Sequence, residues 1–239
     1  MLPLFSRERR DKPLLMKRYN TLVFDLDGTL LDTLGDLTDG VNHVLSRFNF
    51  EQRTQDEIRS FIGNGVPTLL RRALPVGVDD GIHTEALRLF GEFYMSNIKN
   101  STLPYDGIQN MLRELSGNGY KIGVVSNKKD DAVKELCAYF FGDIFNGEKM
   151  RAVFGATGEH NRKPSPLLVL EAMRVLGSDK DETVFIGDSD VDIRCAENAG
   201  IDIICVGWGY RNADYLRSKG AKTVAADTNE LLKLLTIGV

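Results

Sequence analysis

The chain has 239 residues, 42% of them hydrophobic and 27% charged, with a formal net charge of −4. That length suits one core domain carrying a smaller insert, and the composition excludes a disordered or repetitive chain. The acidic balance excludes nucleic acid as the main partner, because binding a polyanion calls for a basic surplus.

The charge is unevenly placed. Residues 1–18 carry six Lys/Arg against two Asp/Glu and read as a basic amino-terminal arm ahead of the first strand pattern. The apolar stretch at the amino terminus is too short for a signal-peptide core, and no later segment approaches a membrane span, so no membrane partner is expected. Cys137, Cys195 and Cys205 are far apart with no CxxC pair, which disfavours a disulfide framework or zinc ribbon and fits a reducing cytoplasm.

Asn20 to Leu26 is a β-branched and aromatic run that reads as a buried strand, with acidic residues at its carboxyl end. From Leu34 to about Asn100 the pattern is helical throughout. Leu34, Leu37, Val41, Val44, Leu45 and Phe48 mark one helix, and others are expected at Thr54 to Phe61, Pro67 to Ala73 and His83 to Ile98. Strand and helix then alternate. Ile108, Met111, Leu112 and Leu115 form one helical face, and Tyr120 to Asn127 is an apolar strand. Pro164 and Pro166 open a helix that Gly177 closes, and Thr183 to Asp188 and Asp202 to Gly207 are further strands.

This order predicts an α/β fold, a doubly wound parallel sheet with a small helical cap inserted after the first strand. The boundaries expected are a core at 19–33 and 101–239 and a cap at 34–100. Such a cap would lie over the carboxyl end of the first strand, where the site should be.

Asp25 and Asp27 are two residues apart at that strand end, so period two puts both carboxylates on one side. Holding them together requires a cation, and a hard divalent ion such as Mg²⁺ suits oxygen ligands. Alone, Asp-x-Asp-Gly is equally a turn or a calcium-loop fragment.

The wider set is more specific. DLDGTLLDT at Asp25 to Thr33, Ser126 at the end of YKIGVVSN, Lys163 in RKPSP, and Asp188 and Asp192 in GDSDVDIRCAENAG follow in order. Together they resemble the signatures of the haloacid dehalogenase-like phosphatases, over roughly Tyr19 to Leu235. The resemblance implies that Asp25 is the nucleophile and Asp27 the general acid and base. Ser126, Asn127 and Lys163 would hold the phosphate. Asp188 would bind Mg²⁺ with the Asp25 carboxylate and the Asp27 main-chain carbonyl, Asp192 would steady the site from behind, and Asp190 would face solvent.

Two runs, IGNGVPTLLRRAL at Ile62 to Leu74 and LPYDGIQNMLRELSGNGYKIGVVSNK, resemble the phosphoglycolate phosphatase branch. On that likeness Gly63, Asn64 and Gly65 would meet the leaving group, with Arg71 or Arg72 as alternatives. The segment GATGEHNRKPSP is less typical of the branch, and Lys128-Lys129 stands where relatives often have a proline soon after the asparagine. His43, His83 and His160 lack metal-ligand spacing and read as surface or packing residues, with His160 near the entrance. Trp208 and Tyr210 read as packing.

The expectation is a Mg²⁺-dependent phosphomonoester hydrolase acting through a phosphoaspartyl intermediate on a small phosphorylated metabolite, with 2-phosphoglycolate the first choice. Its runners-up are a phosphosugar mutase and a pyrophosphatase or nucleotide phosphatase, then a regulatory protein without activity. The protein is expected in the cytoplasm, as a monomer or homodimer.

Overall fold

The computed structural model describes residues 18–147 and 152–236. The basic arm expected at 1–18 lies outside them except for Arg18.

The first strand, β1 (Thr21–Phe24), is buried at every position, as a strand covered on both faces must be. After it the chain turns at Gly28 (φ 82°) and forms β2 (Leu31–Asp32), which pairs antiparallel with β3 (Leu103–Pro104). Between these two lie α1 (Leu34–Arg47), α2 (Gln55–Phe61), α3 (Gly65–Ala73) and α4 (Asp80–Asn97). The ribbon sets the outgoing and returning chains side by side. Asp36, buried at the start of α1, fastens them by accepting from Ser101 N at 2.7 Å, Thr102 N at 3.0 Å and Thr102 Oγ1 at 2.7 Å.

The helix starts follow their caps. Thr54 and Glu57 form a capping box at the head of α2. The Asp79 side chain accepts from Ile82 N at 3.0 Å, so α4 begins at Asp80 and not at His83. α3 likewise starts at Gly65, ahead of Pro67.

The remaining elements are α5 (Ile108–Gly117), β4 (Lys121–Lys129), α6 (Asp130–Phe141), β5 (Val153–Ala156), α7 (Leu167–Leu176), β6 (Thr183–Gly187), α8 (Asp190–Ala199), β7 (Asp202–Val206), α9 (Ala213–Ser218), β8 (Val224–Ala225) and α10 (Thr228–Thr236). Six strands form one sheet in the order β5-β4-β1-β6-β7-β8, with every pair parallel. Successive residues of β1 serve opposite faces. Leu22 and Phe24 share an apolar cluster with side chains of α5, α6 and α10, whereas Val23 packs with α7 and α8.

The sheet is therefore doubly wound. Its first strand is central, flanked by β4 and β6, and later strands extend outward on both sides. A crevice is left at the carboxyl ends where the winding direction reverses.

Candidate active site

That crevice collects the acidic residues. Asp25 follows β1 directly, and its N–H donates to Ile186 O at 2.8 Å, continuing the ladder with β6. Its carboxylate is almost wholly buried, with Oδ1 taking Leu26 N at 2.7 Å and the Lys163 ammonium at 2.8 Å. Lys163 is itself 4% exposed and also reaches Asp192 Oδ1 at 2.7 Å.

Asp192 is held from behind by the amino terminus of α8. Ser189 N and Oγ both donate to its Oδ2, at 3.0 and 2.6 Å, in a capping box. Asp188, just after β6, accepts from Tyr210 N on Oδ2 at 2.7 Å. The turns at Gly28 and Gly209 pack so closely on the Asp188 carboxylate that a Cβ at either would collide with it.

Burial dominates the electrostatics of this group. It pushes the Asp25 carboxyl up to about 7 despite the opposing pull of Lys163, and Asp192 adds to the rise. Asp188 is also driven well above the ordinary carboxylate range, first by burial and then by Asp192 and Asp25. Burial alone would lower Lys163, but Asp192 and Asp25 outweigh it and hold the ammonium charged.

Asp27 is less enclosed. Its Oδ1 accepts from Thr33 Oγ1 at 2.9 Å, and both its oxygens lie 2.9 Å from the Lys128 ammonium. Tyr210 supports Thr33 in turn, its hydroxyl lying 2.9 Å from Thr33 Oγ1 and accepting from Thr33 N at 3.1 Å. Ser126, at the end of β4, is buried, and its Oγ accepts from Lys128 N at 3.3 Å.

The donor set suits a hard divalent cation. Oxygen atoms of Asp25, Asp188 and Asp192 all lie within 4.8 Å of one another. Among the described residues, Lys128 and Lys163 are the ammonium groups paired with Asp25, Asp27 and Asp192 beside Asp188, which leaves an excess of two negative charges over these six groups when all are ionised. A Mg²⁺ ion would cancel that excess. The Asp192 oxygens are engaged by Lys163 and Ser189, so Asp25 and Asp188 are the better ligands.

A cavity of about 300 Å³ opens over these groups. Asp25, Asp27, Ser126, Asn127, Lys163 and Asp188 line its floor at the sheet, and Gly63, Asn64 and Gly65 of the helical insert form a wall of it. Asn127 bridges the two. Its side chain accepts from Lys163 N at 2.6 Å and donates to Lys163 O and Gly63 O, each at 3.1 Å.

Several residues differ from their expected places. Asp190 lines the cavity while its partly exposed side chain pairs with Arg194 at 2.7 Å. Tyr210 does more than pack, since its N–H orients Asp188 and its hydroxyl orients Thr33. Arg72 reaches the cavity, but Arg71 turns to Asp80 at 2.8 Å, and His160 is not among the lining residues.

Sequence reasoning missed Lys128 and Arg211. Lys128 was visible as a lysine two places after Ser126, but its aim depends on how β4 meets β5. Arg211 carries no local signal, because its partners are carbonyls of Arg59, Ser60 and Ile62 far back in the chain.

Residues 22–206 match the model of a family described as haloacid dehalogenase-like hydrolase. The chain is 32% identical over 190 residues to the phosphoglycolate phosphatase of Aquifex aeolicus, covering 79% of this chain and 85% of that protein. It is 31% identical over 227 residues to phosphoglycolate phosphatase 1 of Pseudomonas aeruginosa, covering 92% and 82%. A crystal structure of a candidate phosphoglycolate phosphatase from Lactobacillus delbrueckii subsp. bulgaricus superposes with a TM-score of 0.83 at 30% identity, over 92% of this chain and 99% of that one.

Proposed function

The chain belongs to the haloacid dehalogenase-like hydrolases and is a phosphatase, and from that premise we propose that it hydrolyses a small phosphate monoester through a phosphoaspartyl intermediate on Asp25, with 2-phosphoglycolate as the substrate. The observation that carries this is the pairing of the buried Asp25 with the Lys163 ammonium at 2.8 Å on the floor of a small cavity. A carboxylate oxygen there can attack phosphorus, while the ammonium and the Ser126 hydroxyl neutralise and orient phosphoryl oxygens.

Asp27 would donate a proton to the departing alkoxide oxygen and later take one from the attacking water. Asp25, Asp188 and the Asp27 main-chain carbonyl would hold Mg²⁺, which supplies charge neutralisation between carboxylates and phosphate. Asp192 would keep Lys163 in place.

Residues 34–100 would act as a cap that reads the leaving group, since every phosphate monoester offers the floor of the site the same phosphoryl group. The wall of Gly63, Asn64 and Gly65, with Arg72 and Arg211 beside it, suits a second anionic group such as a carboxylate. The names of the relatives point to the same substrate. Among the described residues no helix is long and apolar enough to cross a membrane. The three cysteines are buried and free, and burial pushes the Cys195 and Cys205 thiols up to about 12. Of these, the unpaired cysteines fit a reducing compartment such as the cytoplasm.

The test is phosphate release from 2-phosphoglycolate, sugar phosphates, nucleotides and pyrophosphate, with and without Mg²⁺. The highest kcat/KM is expected for 2-phosphoglycolate with the metal present. Equal or better turnover of a nucleotide or pyrophosphate would reject the substrate, and full turnover after chelation would reject the metal.

A further inference from the structure

We infer that Lys128 is a positioning residue that fixes the Asp27 carboxylate for proton transfer, brought there by an irregularity in β4. The inference rests on the reading of Asp27 as the general acid.

In the pairing of β4 with β5, Ser126 is opposite Gly155 and Lys129 is opposite Ala156. Asn127 and Lys128 thus form a bulge, and bulges beside a site re-aim side chains. Gly155 makes room for it, because a Cβ there would lie 2.6 Å from Lys128 O and 2.5 Å from Asp130 Cα. Asp130 Oδ1 pins the arrangement by accepting from Gly155 N at 2.9 Å. From this bulge Asn127 turns to the Lys163 main chain and Lys128 to Asp27.

The lysine itself is 6% exposed. Its ammonium is 2.9 Å from both Asp27 oxygens and 5.0 Å from the centroid of the Tyr94 ring. Tyr94 belongs to α4, so the clamp draws on the helical insert as well as the sheet. A buried ion pair is a poor source of stability, and apolar residues of similar volume often do as well. What the pair does supply is geometry. Two equal contacts to one carboxylate restrict its rotation, and the Thr33 hydroxyl on Oδ1 fixes it further.

A positioned acid matters in proportion to how badly the leaving group needs a proton. The alkoxide of 2-phosphoglycolate cannot depart easily without one, whereas 4-nitrophenolate is a stable anion. The two esters therefore separate loss of the clamp from loss of the site.

The experiment measures kcat/KM for both esters in wild type, Asp27→Asn, Lys128→Met and the double variant, with thermal melts as a check on folding. Lys128→Met is expected to lose about 10²-fold on 2-phosphoglycolate and to stay within about threefold on 4-nitrophenyl phosphate. In the Asp27→Asn background the same change should cost nothing more, since the two act as one unit. Lys128→Arg is the second variant should Met not fold. It keeps the charge with a different shape and should show a smaller loss, still confined to 2-phosphoglycolate.

Equal loss on both esters in the Lys128 variants, or additive losses in the double variant, would overturn the inference and make Lys128 a phosphate contact or a structural residue. If Asp27→Asn itself lost both esters equally, the reading of Asp27 would fall and the inference with it.

Discussion

Asp25 and Asp27 are neighbours in sequence with unlike surroundings, and the difference separates their proposed tasks. Asp25 is enclosed, and its Oδ1 is already engaged by Lys163 and Leu26 N. Asp27 is more open and held by Lys128 and Thr33. Asp25→Asn removes the attacking charge, so phosphate release should fall by on the order of 10³-fold or more. Asp27→Asn should cost about 10² to 10⁴ on 2-phosphoglycolate and, with 4-nitrophenyl phosphate, whose leaving group needs no proton, leave phosphoenzyme that acid quenching can trap, because the second step still needs the base. Wild-type release from Asp25→Asn would put the nucleophile elsewhere. The same cluster predicts a metal effect readable without turnover. With four carboxylates facing two lysines, Mg²⁺ at 100 times its Kd should raise the melting temperature by about 5–10 °C. Asp188→Asn should blunt that rise, and a rise unchanged by this substitution would move the metal away from Asp188.

At the scale of elements, four of the six strands of the central sheet and the helices α1 to α5 and α7 were legible because their apolar periods are strong. β1, β4, β6 and β7 lie where their apolar runs fall, and Gly177 and Gly200 close α7 and α8 in left-handed geometry. β5 was not legible. Val153–Ala156 is only four residues long and ends in Gly-Ala, so its identity comes from pairing with β4 and not from its own pattern. The site shows the same divide. Residues that end strands or start helices could be read locally, whereas the bulge at Asn127 and Lys128 exists only in relation to β5. The start of α8 joins both kinds of information, since Ser189 caps the helix while orienting Asp192. Ser189→Ala should cost about 1 kcal/mol, seen as a fall of about 2–4 °C in melting temperature. An unchanged melt would mean that water replaces the cap without loss.

At the scale of the molecule, the proposed catalysis at the sheet and the proposed selection by the insert would require the two parts to meet, and Arg211 is a direct tie between them. It stands in the loop after β7, and its guanidinium donates to Arg59 O at 3.0 Å, Ser60 O at 3.3 Å and Ile62 O at 2.9 Å. These carbonyls lie at the carboxyl end of α2, where helical partners run out and the helix dipole favours a cation. Arg72 takes Phe61 O at 2.9 Å, so two arginines satisfy that helix end just before the Gly63 to Gly65 wall. Removing Arg211 should loosen the wall from the catalytic floor without touching the carboxylates. Hydrogen bonds to a charged group are typically worth about 1.5–3 kcal/mol, so Arg211→Ala should lower kcat/KM for 2-phosphoglycolate by about tenfold or more, chiefly through KM. Arg211→Lys should not restore it, because a single ammonium cannot match the planar fork that reaches three carbonyls. Steady-state kinetics on both variants decides the matter. Full restoration by lysine would show that charge alone is needed there, and unchanged kinetics in the alanine variant would mean that the contact does not hold the wall for substrate.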